Sequence, residues 1–208
     1  MEVLLKYFPN LDEEQISRFR ALDTLYRDWN AKVNLVSRKD IDNLYLHHVL
    51  HSLAIAKVIH FNEGAEILDI GTGGGFPGIP LAILMPGVKF HLIDGTLKKI
   101  KVVEDVIQSL ELKNAKAHQI RAEELKGVRY DFVVTRAVAE LNQLRLWSQR
   151  LLKNKHFHVM PNGLFALKGN VQAEIKALPK GEYTEVYPVS DFFEEKYFQE
   201  KYVVYLQG

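Results

Sequence analysis

The chain has 208 residues, no cysteine and a formal net charge of +1, with 47% hydrophobic and 25% charged residues. These values fit one globular domain, or one domain with a small appendage, and exclude a disordered or collagen-like chain. The lack of cysteine excludes disulfides and thiolate metal sites, and no signal peptide or membrane-length apolar run is evident, so we expect a cytoplasmic monomer with no membrane partner.

The charge is distributed unevenly along the chain. Residues 126–180 hold ten Lys or Arg and three acids, a local net charge of +7, whereas residues 181–208 have a net charge of −4. Such a basic stretch can attract the phosphates of a nucleic acid, but it can equally be an ordinary solvated face. Composition does not favour either interpretation.

The first predicted element is an amphipathic helix over residues 11–29. Its apolar residues recur at helical spacing, and Asp12 and Gln15 can form a capping box at its start. A second helical stretch is predicted over residues 41–60. Residues 1–62 are therefore expected to form a helical extension that packs on the rest of the chain.

From residue 63 onward, short apolar runs alternate with helical stretches. The predicted strands are 66–70, 88–93, 115–118, 132–135 and 164–167, followed by an aromatic-rich terminal pair, 183–189 and 197–206. The predicted helices between them are 77–84, 97–110 and 137–152. This order predicts an α/β, Rossmann-like domain over residues 63–208, with a mostly parallel sheet and a C-terminal antiparallel pair.

A glycine-rich turn follows Asp69 at the end of the first predicted strand. In such a strand–turn–helix context, Gly71, Gly73 and Gly75 let a nucleotide approach the backbone without a Cβ in the way. The turn also matches the G-x-G-x-x-G spacing of dinucleotide-binding folds, so an NAD-dependent oxidoreductase is one alternative. Asp69 favours S-adenosylmethionine instead, since a carboxylate here can pair with its ammonium group and would repel a pyrophosphate. Asp94, at the end of the second predicted strand, can accept hydrogen bonds from the ribose hydroxyls of either cofactor.

Further motifs occur along nearly the whole chain. They are Trp29-Asn30, Asn34-Leu35, His48 through Ser52, the turn from Asp69 with its Phe-Pro-Gly-Ile-Pro continuation, Arg121-Ala-Glu-Glu, Asp131-Phe-Val-Val-Thr-Arg-Ala-Val-Ala and Leu167-Lys-Gly. In these motifs the sequence resembles the RsmG methyltransferases, also called glucose-inhibited division protein B. The resemblance implies a class I S-adenosylmethionine-dependent methyltransferase, a bacterial enzyme that methylates N7 of one guanine in 16S ribosomal RNA of the 30S subunit.

The resemblance also implies roles for individual residues. Gly71 and Phe76 would contact the cofactor, and Ala122 and Glu123 would hold its adenine. Arg136 would lie at the edge of the cofactor, near the substrate. The residue type alone leaves a second interpretation of Glu123, an exposed acid at a helix start.

One departure from the family lies at residue 51, where the usual aspartate of His-x-x-Asp-Ser is replaced by His51. Any role of that aspartate is therefore not transferred to this chain. His47, His48 and His51 include pairs on one helical face with a spacing that can ligate zinc, but no third ligand for such a pair is evident and we expect no metal. We expect His48 and Ser52 to organise the packing between the N-terminal helices and the cofactor loop or the RNA.

Methylation of guanine N7 would need no general base, because the N7 lone pair is free at neutral pH. Catalysis would then depend on positioning and electrostatics. We expect Arg136 to bind the guanine O6 edge or a flanking phosphate, with a structural salt bridge as the alternative. Lys168 is a candidate phosphate contact or an ordinary surface lysine. The basic residues 126–180 would hold surrounding phosphates, and a non-catalytic RNA-binding protein is a second alternative function.

Overall fold

The structure, a computed structural model, describes residues 1–33, 35–37, 40–136 and 138–208. Two residues of the sequence motifs lie outside the described residues. They are Asn34 of the N-terminal motif and Ala137, which follows the fourth strand and begins the predicted helix 137–152.

The N-terminal region is helical, as predicted. Helix α1 covers Glu2–Tyr7 and helix α2 covers Glu13–Lys32. The predicted capping box is confirmed, because Gln15 N donates to Asp12 Oδ1 at 2.8 Å and Asp12 N donates to Gln15 Oε1 at 3.0 Å. Phe19, Leu22 and Tyr26 on one face of α2 are fully buried. The apolar spacing of this helix therefore identified its packed face.

The second helical segment changes its winding along its length. It contains a 3₁₀ turn at Ile41–Asn43, a π-helix at Leu44–Leu50, and the short helices α3 at His51–Leu53 and α4 at Ile55–Val58. The prediction of one helical stretch is correct in extent, but not as a uniform α-helix. In a π-helix each hydrogen bond reaches back five residues, and such turns are frequent at functional sites. Here the π-helix contains His47 and His48.

The rest of the chain forms a seven-stranded sheet. Its strands are β1 (Glu66–Ile70), β2 (Lys89–Asp94), β3 (Ala115–Gln119), β4 (Phe132–Arg136), β5 (Gly163–Lys168), β6 (Thr184–Pro188) and β7 (Tyr202–Gln207). The strand order is β3-β2-β1-β4-β5-β7-β6. Strands β1 to β5 pair in parallel, and β7 is antiparallel to both β5 and β6. The predicted α/β fold with a C-terminal antiparallel pair is confirmed.

The helices between the strands are α5 (Gly78–Leu84), α6 (Leu97–Ser109), α7 (Leu141–Gln149) and α8 (Gln172–Lys176). Two predicted elements begin four or more residues too early. Helix α7 begins at Leu141 rather than at residue 137, and residues 138–140 are neither strand nor helix. The last strand begins at Tyr202 rather than at residue 197, because Lys196–Phe198 forms a 3₁₀ turn that buries Phe198 against Phe193, with ring centroids 5.1 Å apart.

Each face of the sheet carries its own hydrophobic cluster. The larger cluster joins Leu22 and Tyr26 of α2 to Ile79 of α5 and Val103 of α6, and the smaller one contains Leu144 of α7. The N-terminal helices thus share a core with the sheet, and the division into units at residue 62 stays a prediction. Within the described ranges, no helix combines the length and apolar character needed to cross a membrane.

The strand order reverses between β1 and β4, which are neighbours at the centre of the sheet. The chain leaves these two strands toward opposite sides, so a crevice opens beyond their carboxyl ends. Ligands of open parallel sheets bind at this position. Asp69, Asp94 and Arg136 are all at or next to the carboxyl ends of central strands.

Candidate active site

The loop after β1 keeps an open backbone surface. Gly71 and Gly73 have φ of +66° and +59°, a region that side chains other than glycine rarely adopt. A Cβ at Gly71 would come within 2.5 Å of Val138, whereas a Cβ at Gly73 would meet nothing closer than 4.0 Å. Gly71 therefore permits a close approach of the segment after β4, and Gly73 leaves room for a ligand.

Asp69 is fully buried beneath this loop. Its Oδ2 accepts hydrogen bonds from Thr72 Oγ1 at 2.6 Å and from Gly78 N at 2.9 Å, so it joins the loop to the start of α5. Among the described residues, its Oδ1 has no hydrogen-bond partner although it is buried. Burial raises the pKa of Asp69 to about 7, against the two hydrogen bonds, which lower it. A buried acceptor without a donor suits an incoming cationic group.

Asp94, at the end of β2, also binds this loop. Its Oδ2 accepts from Gly73 N at 3.1 Å and its Oδ1 accepts from Thr96 N at 2.8 Å. Lys99 Nζ is 3.7 Å from Oδ2. A carboxylate has about four acceptor sites, so Asp94 can bind the loop and still accept hydrogen bonds from two hydroxyl groups.

Two adjoining cavities form one cleft over the carboxyl ends of the central strands. The first, of about 320 Å³, includes Ile93, Ala122, Glu123 and Trp147 in its wall. The second, of about 380 Å³, is lined by His48, Gly73, Phe76 and Arg136 among others. Both are lined by Gly71, Asp94, Lys99 and Val138. The cleft thus brings together most of the cofactor residues named from the sequence.

Ala122 and Glu123 form a 3₁₀ turn after β3, together with Glu124. Ala122 is buried, and its carbonyl oxygen accepts a hydrogen bond from Arg150, a contact that the sequence did not indicate. The carboxylate of Glu123 is exposed at the wall of the first cavity. Between these two residues, Glu123 is the one with a free acceptor facing the cleft.

Arg136, at the end of β4, is mostly buried and lies over the Phe76 ring, with its Cζ 5.0 Å from the ring centroid. Its Nη1 donates to His47 O at 3.3 Å and its Nη2 donates to His48 Nδ1 at 3.0 Å. No carboxylate of the described chain lies within 4.0 Å of its nitrogens, so the alternative of a structural salt bridge is wrong. Burial lowers the pKa of Arg136, but an arginine stays protonated.

His48 joins the N-terminal region to Arg136. Its Nε2 is 2.6 Å from Asp40 Oδ2, and its ring lies 5.4 Å from that of Phe76. His47 binds the other oxygen of Asp40 through Nδ1 at 2.5 Å and stacks on Tyr197, with centroids 3.8 Å apart. The predicted packing of His48 against the cofactor loop is therefore present.

Asp40 and Tyr197 were missed in the sequence. An acid seven and eight residues before two histidines was a signal for Asp40, because that spacing equals about two helical turns. Within the described part of the chain, no three His, Asp or Glu side chains are grouped so that they could hold a metal ion. His47 and His48 instead share one carboxylate.

Two predicted RNA contacts are corrected by the structure. Ser52 is fully buried and its Oγ donates to His48 O at 2.6 Å, so it supports the π-helix and has no surface for RNA. Lys168 Nζ donates to Ala139 O at 2.8 Å and pairs with Glu174 at 2.8 Å, with only 10% of its side chain exposed. Lys168 therefore holds the segment after β4 instead of facing a phosphate.

His51, the departure from the family pattern, is buried against the aromatic rings of Tyr197 and Phe198. Its Nε2 is buried and has no partner among the described residues. Burial, followed by the charge of Arg136, holds the pKa of His51 well below its usual range. A neutral ring therefore lies where the resemblance implies an aspartate.

Several cations of the basic stretch 126–180 are used within the fold. Arg145 pairs with Glu182 at 2.8 Å, and Lys153 pairs with Glu66 at 2.8 Å and Asp131 at 2.9 Å. The local charge of +7 therefore overstates the positive surface of this region. Binding of phosphates along the whole stretch stays a prediction.

Strand order and site together define a class I S-adenosylmethionine-dependent methyltransferase. Similar solved structures include a SAM-dependent methyltransferase from Aquifex aeolicus, with a TM-score of 0.57 and 17% identity, covering 82% of this chain and 98% of that one. Another is precorrin-6y C5,15-methyltransferase from Geobacter metallireducens, with a TM-score of 0.56 and 14% identity, covering 76% and 88%. At these identities the likeness shows the fold.

The family model described as rRNA small subunit methyltransferase G matches residues 15–192. A protein of Bacteroides thetaiotaomicron named ribosomal RNA small subunit methyltransferase G is 52% identical over 207 residues, covering 100% of both chains. The protein of the same name from Flavobacterium johnsoniae is 51% identical over 207 residues, covering 99% of this chain and 97% of its own. This chain belongs to the rRNA small subunit methyltransferase G family, which confirms the resemblance stated from the motifs and does not support the NAD-dependent alternative.

Proposed function

We propose that this protein transfers the methyl group of S-adenosylmethionine to N7 of a guanine in 16S ribosomal RNA of the 30S subunit. The proposal is supported by family membership and by one observation in the site. The guanidinium of Arg136 is held at the wall of the cleft by His47 and His48. Methylation of N7 needs such a positioning group but no general base.

The donors of Arg136 suit recognition of a guanine edge. A guanidinium has five N–H donors, and the two contacts to His47 O and His48 Nδ1 use two of them. The remaining donors are at the wall of the second cavity, beside Phe76 and the glycine loop. Arginine commonly donates to both O6 and N7 of guanine, but N7 must keep its lone pair free for the methyl group, so Arg136 would donate to O6 alone.

S-adenosylmethionine fits the residues of the cleft. Asp69 lines neither cavity, but its buried and unpaired Oδ1 lies beneath the loop and would accept from the cofactor's ammonium group, and the open backbone at Gly73 leaves room for the cofactor. Asp94 would accept hydrogen bonds from the ribose hydroxyls, and the first cavity, with Ala122 and Glu123, would take the adenine. When bound, S-adenosylmethionine supplies an electrophilic methyl group on a positively charged sulfur.

The reaction then needs little chemistry from the side chains. The N7 lone pair forms the new bond to the methyl carbon as the carbon–sulfur bond breaks, and the sulfur keeps that electron pair. No proton has to leave N7, so the residues act by orientation. Arg136 would hold the base, Phe76 would exclude water from the guanidinium, and the glycine loop would fix the donor. The base itself must be unpaired or displaced, because the major groove of A-form RNA is deep and narrow.

The test uses labelled S-adenosylmethionine with two substrates that lack the modification, purified 16S RNA and 30S particles. We expect label on one guanine, at N7, and the two substrates separate free RNA from assembled subunit as the preferred target. Label at another atom or on another class of RNA would contradict the proposal. Absence of labelling together with tight cofactor binding would contradict it as well.

A further inference from the structure

Asp40 lies outside the cleft but is connected to Arg136 through His47 and His48. Its side chain is 30% exposed, and it lines neither of the two cavities of the cleft. Its two oxygens bind different residues, His47 Nδ1 at 2.5 Å and His48 Nε2 at 2.6 Å. His48 Nδ1, on the opposite side of the ring, is 3.0 Å from Arg136 Nη2.

These contacts determine where the proton of His48 lies. A guanidinium can only donate, so His48 Nδ1 must accept from Arg136 and carries no proton. A neutral imidazole has one N–H, which is then at Nε2 and donates to Asp40. The opposite tautomer would place an N–H of His48 against an N–H of Arg136 and would lose both hydrogen bonds.

Burial and the charge of Arg136 keep His48 neutral. The groups that face it are Asp40, His47, His51 and Arg136, together with Tyr197 stacked on His47. Burial, then the charge of Arg136, lowers the pKa of His48 to about 4. Burial raises the pKa of Asp40, but the hydrogen bonds from both histidines outweigh this effect and lower it. Near neutral pH the chain is thus carboxylate, neutral imidazole, guanidinium.

Without Asp40, nothing behind the ring would hold the rotation of His48, and a rotated ring would release Nδ1 from Arg136 and admit both tautomers. Arg136 has no carboxylate within 4.0 Å among the described residues, so its orientation depends on the two contacts with His47 and His48 and on the Phe76 ring. Groups beyond the reacting residues often determine the tautomer and direction of a functional histidine. Asp40 has the position and the charge for this role.

We propose that Asp40 is a positioning residue, which holds His48 as its Nε2–H tautomer and thereby aims the remaining donors of Arg136 at the target guanine. The inference rests on the proposed role of Arg136 in methyl transfer. Its effect on the reaction is indirect, because the carboxylate contacts neither the cleft nor the site of bond formation.

Three variants test this role. Asp40→Ala removes the acceptor. Asp40→Asn keeps it, since the amide oxygen can accept from His48 Nε2 while the amide nitrogen donates to His47. Asp42→Ala is the matched control, because Asp42 lies in the adjoining 3₁₀ turn, is 75% exposed and pairs with Arg27 at 2.9 Å. All three are checked for folding by thermal melting before they are compared.

The first measurement is the kcat for methylation of 30S particles at saturating S-adenosylmethionine. Asp40→Ala should lower kcat roughly 10- to 100-fold, the usual cost of misplacing a supporting group, with little change in the KM for S-adenosylmethionine. Asp40→Asn should restore most of the rate, and Asp42→Ala should retain it. Full activity of Asp40→Ala, or equal losses in the alanine and asparagine variants, would overturn the proposal.

The second measurement is long-range ¹H–¹⁵N NMR of labelled histidine, without RNA, with the His48 signals assigned by their loss in His48→Gln. The wild-type chain and Asp40→Asn should show the Nε2–H tautomer, and Asp40→Ala should show a mixture of tautomers. An unchanged tautomer in Asp40→Ala would refute the proposal even if activity falls. If instead the wild-type chain methylates no RNA, the proposed function fails, and the NMR result separates that failure from a failure of the Asp40 inference.

Discussion

Affinity for S-adenosylmethionine should fall as the pH drops below 7, because Asp69 must be ionised to pair with the cofactor's ammonium group. In the free protein, burial raises the pKa of Asp69 to about 7. A positive charge at its unpaired Oδ1 would favour the ionised form and lower this pKa. Binding should therefore release a proton from Asp69 whenever the pH is below about 7.

The magnitude follows from proton linkage. Below the pKa of the free protein, each further pH unit should raise the Kd about tenfold, equivalent to about 1.4 kcal/mol, until the pKa of the complex is reached. The α-amino group of an amino acid titrates near 8, so the ammonium group stays charged throughout this range. The loss of affinity is thus assigned to the protein.

Calorimetry from pH 5.5 to 7.5, in buffers with different ionisation enthalpies, measures both the Kd and the number of protons released. Asp69→Asn is the control, because its amide oxygen can keep the hydrogen bonds from Thr72 and Gly78, and it should bind weakly with little pH dependence below 7. A flat Kd without proton release, or an unchanged pH slope in Asp69→Asn, would refute the pairing of Asp69 with the ammonium group.

The raised pKa of Asp69 should also affect the stability of the free protein. Cofactor affinity should increase with pH, whereas the contribution of Asp69 to stability should decrease with pH. The folded free protein binds the Asp69 proton more tightly than the unfolded chain, in which the pKa of Asp69 is near its ordinary value of 3.8. Its contribution to the free energy of unfolding should therefore decrease as the pH rises from about 4 to about 7, and then level off. In the complex the ammonium group lowers the pKa of Asp69, so this pH-dependent loss of stability disappears. The rise in Tm produced by saturating S-adenosylmethionine should therefore be larger at pH 7 than at pH 5.5.

Three further substitutions test other parts of the site. Arg136→Ala should lower kcat on 30S particles roughly 100-fold while circular dichroism shows an intact fold; near wild-type turnover would contradict its role. Lys168→Met should lower the free energy of unfolding by about 1–3 kcal/mol through loss of the contact with Ala139 O, measured by urea unfolding. It should leave unchanged the slope of the logarithm of RNA affinity against the logarithm of salt concentration. If Lys168 contacted a phosphate, its loss would lower that slope by about 1. Tyr26→Phe removes the 2.5 Å hydrogen bond from the buried Tyr26 Oη to Gly74 O and should lower the free energy of unfolding by a similar amount; an unchanged melting curve would show that this bond does not hold the loop.

Periodicity and local motifs were enough to predict most of the elements and the position of the cleft. The strand–turn–helix around Gly73 requires only local residues, and parallel strands bring Asp94 and Arg136 to the same edge of the sheet wherever their helices lie. The capping box at Asp12 and Gln15 is likewise a local interaction. These parts of the fold depend on short stretches whose pattern is visible in the chain.

The partners of the polar side chains could not be predicted in the same way. Lys168 lies at the end of a strand, a position from which a lysine can contact a phosphate. Only the folded structure shows that its ammonium group is bound by Glu174 and Ala139 O instead. Ser52 lies on a helix whose buried face depends on the π-helical winding. The start of the last strand was misplaced because Phe198 enters the core, and alternation of residues does not distinguish this burial from pairing in a sheet.

The π-helix at Leu44–Leu50 makes the length of this segment as important as its composition. Because a π turn accommodates one residue more than an α turn, removing a single residue would restore ordinary α winding and turn the residues within the segment relative to His51 to Val58, which would keep their orientation. The two histidines and the buried face of α3 would then no longer meet Asp40, Arg136 and the core at the same time. Natural variation in this segment should therefore consist of substitutions, while insertions and deletions should be confined to the chain on either side of it.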